Sequence, residues 1–343
     1  MNNSLMSKGR GIYILNAETV SLLLADGDAE LIDIVRGAYE THRMGDSSLP
    51  HSTFLRFPGQ EKNRIIALPA YLGGEFAVAG VKWIASFPAN AELGMDRASA
   101  VVILNCAQTG RPQAILEGSI ISAKRTAASA ALAAQRLHGK EVDCLGLIGC
   151  GLIGFEIVRF LMSNMQVRNL VLFDTDMSRA EHFKTKCSNS FAGIEVRIAG
   201  SSAEVLGGCL LTALATTAVK PHISDLSAVA PGSTLLHVSL RDLTPEAILR
   251  CDNVADDIDH ACRAQTSLHL AEQMSGNRAF IRCTLGDILR GDAPARKASD
   301  SITVFSPFGL GVLDLAVAKY CLDRAVEQNM ATVLESFLPE SWG

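Results

Sequence analysis

The chain has 343 residues, 48% of them hydrophobic, which is enough for about two domains with substantial cores. Its formal net charge of −5 argues against a nucleic acid or an anionic membrane as a partner. The first residues lack the apolar run of a signal peptide and no later run resembles a membrane span, so we expect a cytoplasmic protein.

The first part of the chain predicts a mixed α/β segment. Apolar residues recur at helical spacing over 28–44. Strands are expected at 64–69, 77–84 and 99–105. The short turns between these strands favour an antiparallel or mixed sheet. A long alanine-rich helix is expected over 117–138, with Gly139 as its C-terminal cap.

Residues 142–154 predict a buried strand, a glycine-rich turn and the start of a helix, the context of a dinucleotide-binding fingerprint. Gly149 allows the tight turn, and Gly151 lets the backbone approach a pyrophosphate. Gly154 lets the helix pack closely on the strand. The helix begins at Leu152 and Ile153, whose N–H groups point toward the phosphates.

An acid follows the fingerprint at the spacing that a dinucleotide site requires. Asp174 ends the next predicted strand, twenty residues past Gly154. Its carboxylate can accept hydrogen bonds from a ribose 2′-hydroxyl and would repel a 2′-phosphate. The cofactor predicted from the sequence is therefore NAD, not NADP.

Strands and helices alternate after the fingerprint. Strands are expected at 194–199, 209–216, 234–240, 252–256 and 302–304, and an apolar helix over 309–329. This pattern predicts a Rossmann-type doubly wound parallel sheet over 126–304. It is inserted into a mixed α/β domain formed by 1–125 plus 305–343.

Neither the cysteines nor a cluster of acids predicts a metal. The nine cysteines include no CxxC pair and are read as reduced, buried residues. One cluster has metal-like residue types: Asp256, Asp257, Asp259, His260 and Cys262. Its spacing matches no tetrahedral zinc site, and an acid between a strand and a helix is typical of helix capping.

Several cations lie in apolar surroundings in the first domain. Lys82 interrupts an apolar strand, where an ammonium group needs a carboxylate partner. Arg125 interrupts the alanine-rich helix, and Arg56, Arg64 and Arg97 are further cations in this part of the chain. Together they would form a receptor for an anionic substrate. Taken one at a time, each is better explained by a surface salt bridge.

Several runs resemble the ornithine cyclodeaminase/μ-crystallin family, in the same order along the chain. They are Arg-Ile-Ile-Ala-Leu-Pro at 64–69, Gly-Val-Lys-Trp-Ile at 80–84, the run at 97–105, Thr-Gly-Arg-Pro at 109–112, the run at 119–128 and the glycine turn at 148–154. The resemblance covers the chain from about residue 56 to the last helix. It implies an NAD-dependent enzyme of amino-acid metabolism and a homodimer, with 1–125 plus 305–343 as the domain for substrate binding and dimerisation.

The resemblance also implies roles for individual residues. In the family, an arginine and a lysine of the first domain and the arginine of the Arg-Thr-Ala-Ala motif hold a substrate carboxylate. These roles fall on Arg56, Lys82 and Arg125, while Thr126 lies beside the cofactor phosphates. The runs at 64–69 and 97–99 resemble a branch of dehydrogenases that serve 2,3-diaminopropionate and siderophore synthesis.

The chain departs from true ornithine cyclodeaminases at two acids. Their strand glutamate is missing here, where the matching strand offers Ile66, and Asp242 is the nearest candidate for their catalytic aspartate although its loop differs in length. Asp242 is the candidate general base. Thr216 and Ser239, at the ends of two predicted strands, are further candidate cofactor residues.

These departures favour a substrate with additional carboxylates, which Arg97 would bind. Hydride transfer to NAD and hydrolysis of the resulting imine is the expected chemistry, with Lys82 activating water or shuttling a proton. Three alternatives stay open. They are ornithine cyclodeaminase, a ketimine reductase or alanine dehydrogenase, and a non-catalytic μ-crystallin-like binding protein.

Overall fold

The computed structural model describes residues 10–139 and 141–340, which form two compact units. Unit 1 comprises the described residues up to Arg125 and those from Leu310, and unit 2 is Thr126–Gly309. The predicted return to the first domain at residue 305 is too early, because the strand Thr303–Ser306 still pairs within the sheet of unit 2.

The elements follow one another along the chain in three groups. The first group is β1 (Ile12–Leu15), α1 (Ala17–Leu23), α2 (Asp28–Arg43), β2 (Ser47–Ser48), β3 (Thr53–Phe57), β4 (Gln60–Leu72), β5 (Val78–Ser86), a 3₁₀ helix (Pro88–Leu93), β6 (Ala98–Cys106), β7 (Pro112–Glu117) and α3 (Ser119–Leu137). The second group is β8 (Glu141–Ile148), α4 (Leu152–Asn164), β9 (Gln166–Phe173), α5 (Met177–Ser190), β10 (Glu195–Ile198), α6 (Ser202–Gly208), β11 (Leu211–Leu214), β12 (Thr234–His237), α7 (Pro245–Leu249), β13 (Asp252–Ala255), α8 (Ile258–Ala261), α9 (Ser267–Ser275), β14 (Ile281–Thr284), α10 (Leu285–Arg290) and β15 (Thr303–Ser306). The third group is α11 (Gly311–Glu327) and β16 (Thr332–Leu334).

Unit 1 contains a mixed sheet with the order β16-β1-β7-β6-β5-β4-β2, and β3 also pairs with β4. Neighbouring strands are antiparallel except for β1 and β7. The apolar helix α11 packs against α2 and across β4, β5 and β6. Because side chains alternate along a strand, β5 buries Lys82 and Ser86 on one face and exposes Trp83 on the other.

Unit 2 contains a parallel sheet with the order β10-β9-β8-β11-β12-β15-β13-β14. The four residues of β11, β12, β13 and β15 are all buried, as expected for strands covered on both faces. The direction of winding reverses between β8 and β11. In open α/β sheets, ligands bind at the carboxyl ends of the strands beside such a reversal.

The predicted fold class, a doubly wound parallel sheet inserted into a mixed α/β unit, is confirmed. The strands β1, β2, β3, β7, β14 and β16 were not predicted. The long helix starts at Ser119 and not at 117, because Glu117 ends β7 and its carboxylate accepts hydrogen bonds from the N–H groups of Ser119 (2.6 Å) and Ile120 (3.0 Å). Glu117 therefore caps the helix from outside it.

The expectation that all cysteines are reduced is wrong for two of them. Cys144 and Cys209 form a disulfide, with their Cα atoms 5.2 Å apart. The parallel pairing of β8 with β11 aligns Leu145 with Leu211 and so brings the two cysteines together. The other seven cysteines are free thiols.

The acid cluster after β13 caps a helix, as predicted. Asp257 is the N-cap of α8 and accepts a hydrogen bond from the His260 N–H at 2.8 Å. Asp256 is buried and accepts from the N–H groups of Phe308 (2.8 Å) and Gly309 (2.7 Å), which fixes the end of unit 2. Among the helices of the described residues, none combines the length and the apolar character needed to cross a bilayer.

Candidate active site

The glycine-rich turn of unit 2 lies at the carboxyl end of β8, beside the reversal of winding. Gly149 has φ of 100°, and a Cβ there would lie 2.6 Å from the carbonyl oxygen of Ala215. A Cβ on Gly154 would lie 2.6 Å from the carbonyl oxygen of Gly149. These two positions therefore require glycine, one for the tight turn and one for close packing of α4.

Gly151 has a different surrounding. It is the N-cap of α4 in an extended conformation, and a Cβ there would meet no atom within 4 Å. The missing side chain leaves open space in front of the first turn of α4. The free N–H groups of that turn, including those near Leu152 and Ile153, form an anion site that fits the pyrophosphate of a dinucleotide.

Asp174 lies directly after β9 and is tied to this turn. Its Oδ2 accepts a hydrogen bond from the Cys150 N–H at 2.8 Å, and its Oδ1 accepts from the Asp176 N–H at 2.9 Å. Each carboxylate oxygen has a second lone pair. Asp174 can therefore accept a ribose hydroxyl while it holds the turn.

Asp242 lies in a buried polar network near the carboxyl ends of β11 and β12. The hydroxyl groups of Thr216 and Ser239 donate to its two carboxylate oxygens. The Asp242 N–H donates to Nε2 of His237 at 3.1 Å, and Nδ1 of His237 lies 3.2 Å from Oγ of Ser306. His237 and Ser306 were not predicted from the sequence, because the sequence around a histidine on an apolar strand does not show which residues it will contact.

The environment of Asp242 favours the charged form of its carboxylate. Burial by itself would raise its pKa, but the neighbouring His237 and the hydrogen bonds from Ser239 and Thr216 outweigh burial, so the pKa lies below its ordinary value. The side chain is fully buried. The role of Asp242 as a general base therefore stays a prediction from the sequence.

In unit 1, Lys82 and Arg125 meet at one carboxylate, Asp314. Nζ of Lys82 lies 2.8 Å from Oδ2 of Asp314 and donates to Oγ of Ser122 at 3.1 Å. Nε of Arg125 donates to Oδ1 of Asp314 at 2.9 Å. Asp314 is fully buried, while Lys82 is 2% and Arg125 is 7% exposed. The carboxylate that Lys82 was predicted to need is supplied by α11.

The pKa of Lys82 is lowered to about 8. Burial is the main cause, and the positive charge of Arg125 acts in the same direction, while Asp314 partly offsets both. Lys82 therefore changes its charge close to neutral pH. It can act as an ammonium group that binds a carboxylate or as an amine that exchanges a proton.

The remaining predicted substrate residues lie on the same sheet face as Lys82. Cross-strand pairing places Arg56 on β3 opposite Arg64 on β4, and Arg64 opposite Ser86 on β5. Ser86 and Lys82 are four residues apart on one strand and so share a face. Arg97 reaches this face because its Nη1 donates to Oγ of Ser86 at 2.8 Å. Thr126 is half-buried within α3 at the start of unit 2.

A parallel sheet with a glycine-rich phosphate turn, joined to a unit with buried cations, defines the class of nicotinamide-dependent oxidoreductases. The chain belongs to the ornithine cyclodeaminase/mu-crystallin family, whose model matches residues 14–329. The family assignment made from the sequence motifs is thus confirmed.

Three relatives illustrate the range of the family. The chain is 27% identical over 335 residues to N-((2S)-2-amino-2-carboxyethyl)-L-glutamate dehydrogenase of Staphylococcus aureus (strain NCTC 8325), covering 96% of this chain and 99% of the relative. An archaeal alanine dehydrogenase dimer with bound NAD is similar in structure, with a TM-score of 0.85, 25% identity and coverage of 95% and 99%. The Δ(1)-pyrroline-2-carboxylate reductase of Thermococcus litoralis, solved with NADH and L-proline, shares the fold with a TM-score of 0.87 at 23% identity, covering 94% and 99%.

Proposed function

We propose that the protein oxidatively cleaves N-(2-amino-2-carboxyethyl)-L-glutamate with NAD and water, giving 2-oxoglutarate, L-2,3-diaminopropionate, NADH and a proton. The observation that supports it most is the set of five cations on or beside one face of the unit 1 sheet: Arg56, Lys82, Arg64, Arg97 and Arg125. A substrate with three carboxylates matches this much positive charge. The similarity to the staphylococcal dehydrogenase supports the same choice.

The cofactor proposed for unit 2 is NAD. The geometry of Gly149, Gly151 and Gly154 fits a dinucleotide pyrophosphate, and Asp174 disfavours a 2′-phosphate. Thr216 and Ser239 are proposed to lie along the cofactor, with Asp242 fixing the direction of their hydroxyl groups. When bound there, NAD would supply the hydride acceptor, and assays with NADP in its place should show much weaker activity.

The protein's own residues orient the substrate and control protons. Arg56, Lys82 and Arg125 are proposed to hold the α-carboxylate next to the carbon that loses its hydride. Hydride loss from the glutamate α-carbon gives a C=N bond to the former amine nitrogen. Water then adds to that carbon, and breaking the C–N bond releases the amine of diaminopropionate. Lys82, with a pKa of about 8, can hold or return the proton that water loses.

We also propose that the protein is a homodimer and that it is located in the cytoplasm, where NAD is available. The sheet face opposite Lys82 carries the exposed side chains of Trp83 and Leu55, which cross-strand pairing puts on one surface. An apolar sheet surface of this kind is suited to a second copy of the chain. Diaminopropionate is a building block, so the proposed reaction supplies a biosynthetic pathway such as siderophore assembly.

The first experiment follows NADH absorbance with purified protein, NAD and N-(2-amino-2-carboxyethyl)-L-glutamate. We expect NADH and 2-oxoglutarate in equal amounts with this substrate, and little NADH with ornithine or alanine. Proline and ammonia formed from ornithine without net NADH would instead identify a cyclodeaminase. NADH from alanine alone would identify an alanine dehydrogenase.

A further inference from the structure

One pair of strands in unit 2, which we call the β8–β11 junction, joins the two halves of the parallel sheet. The order of the sheet places β10, β9 and β8 on one side and β11, β12, β15, β13 and β14 on the other. The register of the junction runs from the pair Leu145–Leu211 to the pair Ile148–Leu214. Because the glycine-rich turn follows Ile148 directly, the cofactor site lies at the carboxyl end of the junction.

The disulfide between Cys144 and Cys209 lies at the other end of the β8–β11 junction. Cys144 comes directly before Leu145, the first residue of β8 in this register, and Cys209 lies two residues before β11 begins at Leu211. The bond encloses the segment 144–209, which contains the fingerprint turn, α4, β9, α5, β10 and α6. One covalent bond therefore links the two halves of the sheet and closes a loop that includes the fingerprint.

The β8–β11 junction is closely packed as far as the cofactor site. A Cβ on Gly146 would lie 2.5 Å from Oγ1 of Thr212, and a Cβ on Gly149 would lie 2.6 Å from the carbonyl oxygen of Ala215. The Ala215 N–H donates to the carbonyl oxygen of Ile148 at 2.8 Å. The position of the glycine-rich turn relative to β11 depends on these contacts, so a bond that keeps β8 beside β11 also stabilises the turn.

The two cysteines differ in their access to solvent. Cys144 is half-buried next to the exposed Asp143, whereas Cys209 is only 4% exposed. A small thiol or disulfide in solution therefore meets Cys144 first, with Cys209 as the internal partner. Exposed disulfides are the ones that exchange most readily. In the cytoplasm, where we place the protein, disulfides are rare, and those that form are mostly transient or redox-sensing.

We propose that Cys144 and Cys209 form a redox modification site for small disulfides such as glutathione disulfide, and that the oxidised pair strengthens NAD binding by keeping β8 paired with β11. The Cys144 thiolate attacks one sulfur of the small disulfide, breaks its S–S bond and releases one thiol. The Cys209 thiolate then attacks Sγ of Cys144 and releases the second thiol. The cysteines lose two electrons, which reduce the small disulfide, and their two protons end on the released thiols. Exchange with two thiols reverses the process.

The effect on NAD follows from the position of the disulfide. In the reduced protein only noncovalent contacts keep β8 beside β11, so we expect this pair to open more often. NAD requires the glycine-rich turn in its packed position, and each opening lowers the fraction of molecules that can bind it. Neither the exchange nor this effect involves the amino-acid substrate, so both can be tested whether or not the proposed dehydrogenase reaction occurs.

The first measurement follows the disulfide itself. The full-length protein is equilibrated in glutathione buffers that range from reducing to oxidising, and its free thiols are then alkylated. Mass spectrometry of the digested protein measures the fraction of molecules in which Cys144 is joined to Cys209. We expect this fraction to change from near zero to most of the protein along the series. Cys251→Ser, which removes a partly exposed free thiol of the same unit, is the control and should follow the parent.

The second measurement compares the fully oxidised and fully reduced protein without substrate. We expect the oxidised parent to melt about 5–10 °C higher, a typical effect of a disulfide in a unit of this size. Isothermal calorimetry should give a Kd for NAD about fivefold lower in the oxidised protein, at the low end of coupling between two sites. In Cys144→Ser and in Cys209→Ala, neither quantity should depend on the buffer. Cys251→Ser should again behave as the parent.

Three results would overturn the proposal. A bond between Cys144 and Cys209 that does not form, or does not open, along the glutathione series would remove the modification site. An equal Kd for NAD in the two redox states would remove the link to the cofactor, whatever the melting temperatures. A redox effect of the same size in Cys144→Ser would assign it to other cysteines. If neither cysteine variant folds, the comparison of the two redox states of the parent and of Cys251→Ser decides.

Discussion

Asp314 is the residue on which the buried charges of unit 1 depend. It is the shared partner of Lys82 and Arg125, and all three side chains are buried. Replacing Asp314 by asparagine keeps its shape but leaves two cations without a countercharge. We expect the free energy of unfolding to fall by about 3–5 kcal/mol, the range measured when one partner of a buried ion pair is removed.

Urea unfolding of the Asp314→Asn variant measures this change. The matched control is Asp323→Asn on the same helix, where Asp323 pairs with Lys319 at 2.7 Å and is about one-third exposed. The Lys319–Asp323 pair is partly exposed to water, which screens its charges, so the control should lose less stability than Asp314→Asn. Similar losses of unfolding free energy in the two variants would mean that the buried cluster stabilises the protein no more than the Lys319–Asp323 pair does.

Lys82 gives the proposed substrate site a predictable dependence on pH. Its pKa of about 8 means that the ammonium form dominates below this pH and is lost as the pH rises through it. If the ammonium binds the substrate carboxylate, the KM should be constant up to about pH 7.5 and rise severalfold by pH 9. Steady-state kinetics at fixed ionic strength measures the profile.

The Lys82→Arg variant is the control, because a guanidinium group stays charged over this range. Its KM should be higher than that of the parent at pH 7 but flat up to pH 9. A parent KM that does not change between pH 7 and 9 would show that the charge of Lys82 is not used in substrate binding.

At the scale of elements, the turn between β8 and α4 contains a glycine, Gly151, whose substitution should weaken cofactor binding without lowering stability. An added methyl group on Gly151 would meet no protein atom, and its extended backbone is allowed for alanine. Gly151→Ala should therefore leave the melting temperature within about 1 °C of the parent. The same methyl group would stand where we place the pyrophosphate, so the Kd for NAD should rise at least tenfold.

Gly208→Ala serves as the comparison, because a methyl group on Gly208 also meets no atom and Gly208 is remote in sequence from the fingerprint. It should alter neither the melting temperature nor the Kd for NAD, which isothermal calorimetry measures. A Gly151→Ala variant that binds NAD normally would place the phosphates away from this turn.

Sequence patterns predicted even four-residue strands of unit 2, such as β11 and β13, because a regular alternation of strands and helices surrounds them. β1 and β16 have four and three residues and lie outside any such alternation, so they were missed. β7 was left unassigned, and its last residue, Glu117, was placed in the predicted helix, which it instead caps from outside. Strongly periodic segments, such as β5 and α11, were predicted to within a few residues.

At the scale of the whole molecule, the exposed face of the unit 1 sheet predicts self-association. Trp83 is 40% and Leu55 44% exposed in the single chain, and α11 covers the opposite face of β5, the strand that carries Trp83. Trp83→Glu would put a charge in the centre of this face. We expect the parent to sediment as a dimer and the Trp83→Glu variant as a monomer in analytical ultracentrifugation.

Leu22→Glu is the control for the dimer, because Leu22 is 60% exposed on α1 and not on this sheet. It should remain as dimeric as the parent. A parent protein that sediments as a monomer, or a Trp83→Glu variant that remains a dimer, would remove this face from the proposal.

Some residues of the candidate site could be predicted from the sequence, and others could not. Local spacing was enough for the glycine turn and Asp174, because their geometry is set within one βαβ unit. Lys82 was recognisable as a buried charge, but its partner was not, since Asp314 lies 189 residues beyond Arg125. The one available signal was an acid within the apolar start of α11. The network of Asp242 with His237 and Ser306 depends in the same way on contacts between separate strands.

The position of Asp314 late in the chain also affects the order in which the two units can complete their folding during synthesis. A ribosome makes Lys82 and Arg125 early, then all of unit 2, and only afterwards α11 with Asp314. Until α11 emerges, the sheet of unit 1 lacks both its covering helix and the countercharge for its two buried cations. The nascent chain can therefore fold the later segment, unit 2, before the earlier one is complete. Unit 1 is therefore completed only by a helix that is translated after unit 2.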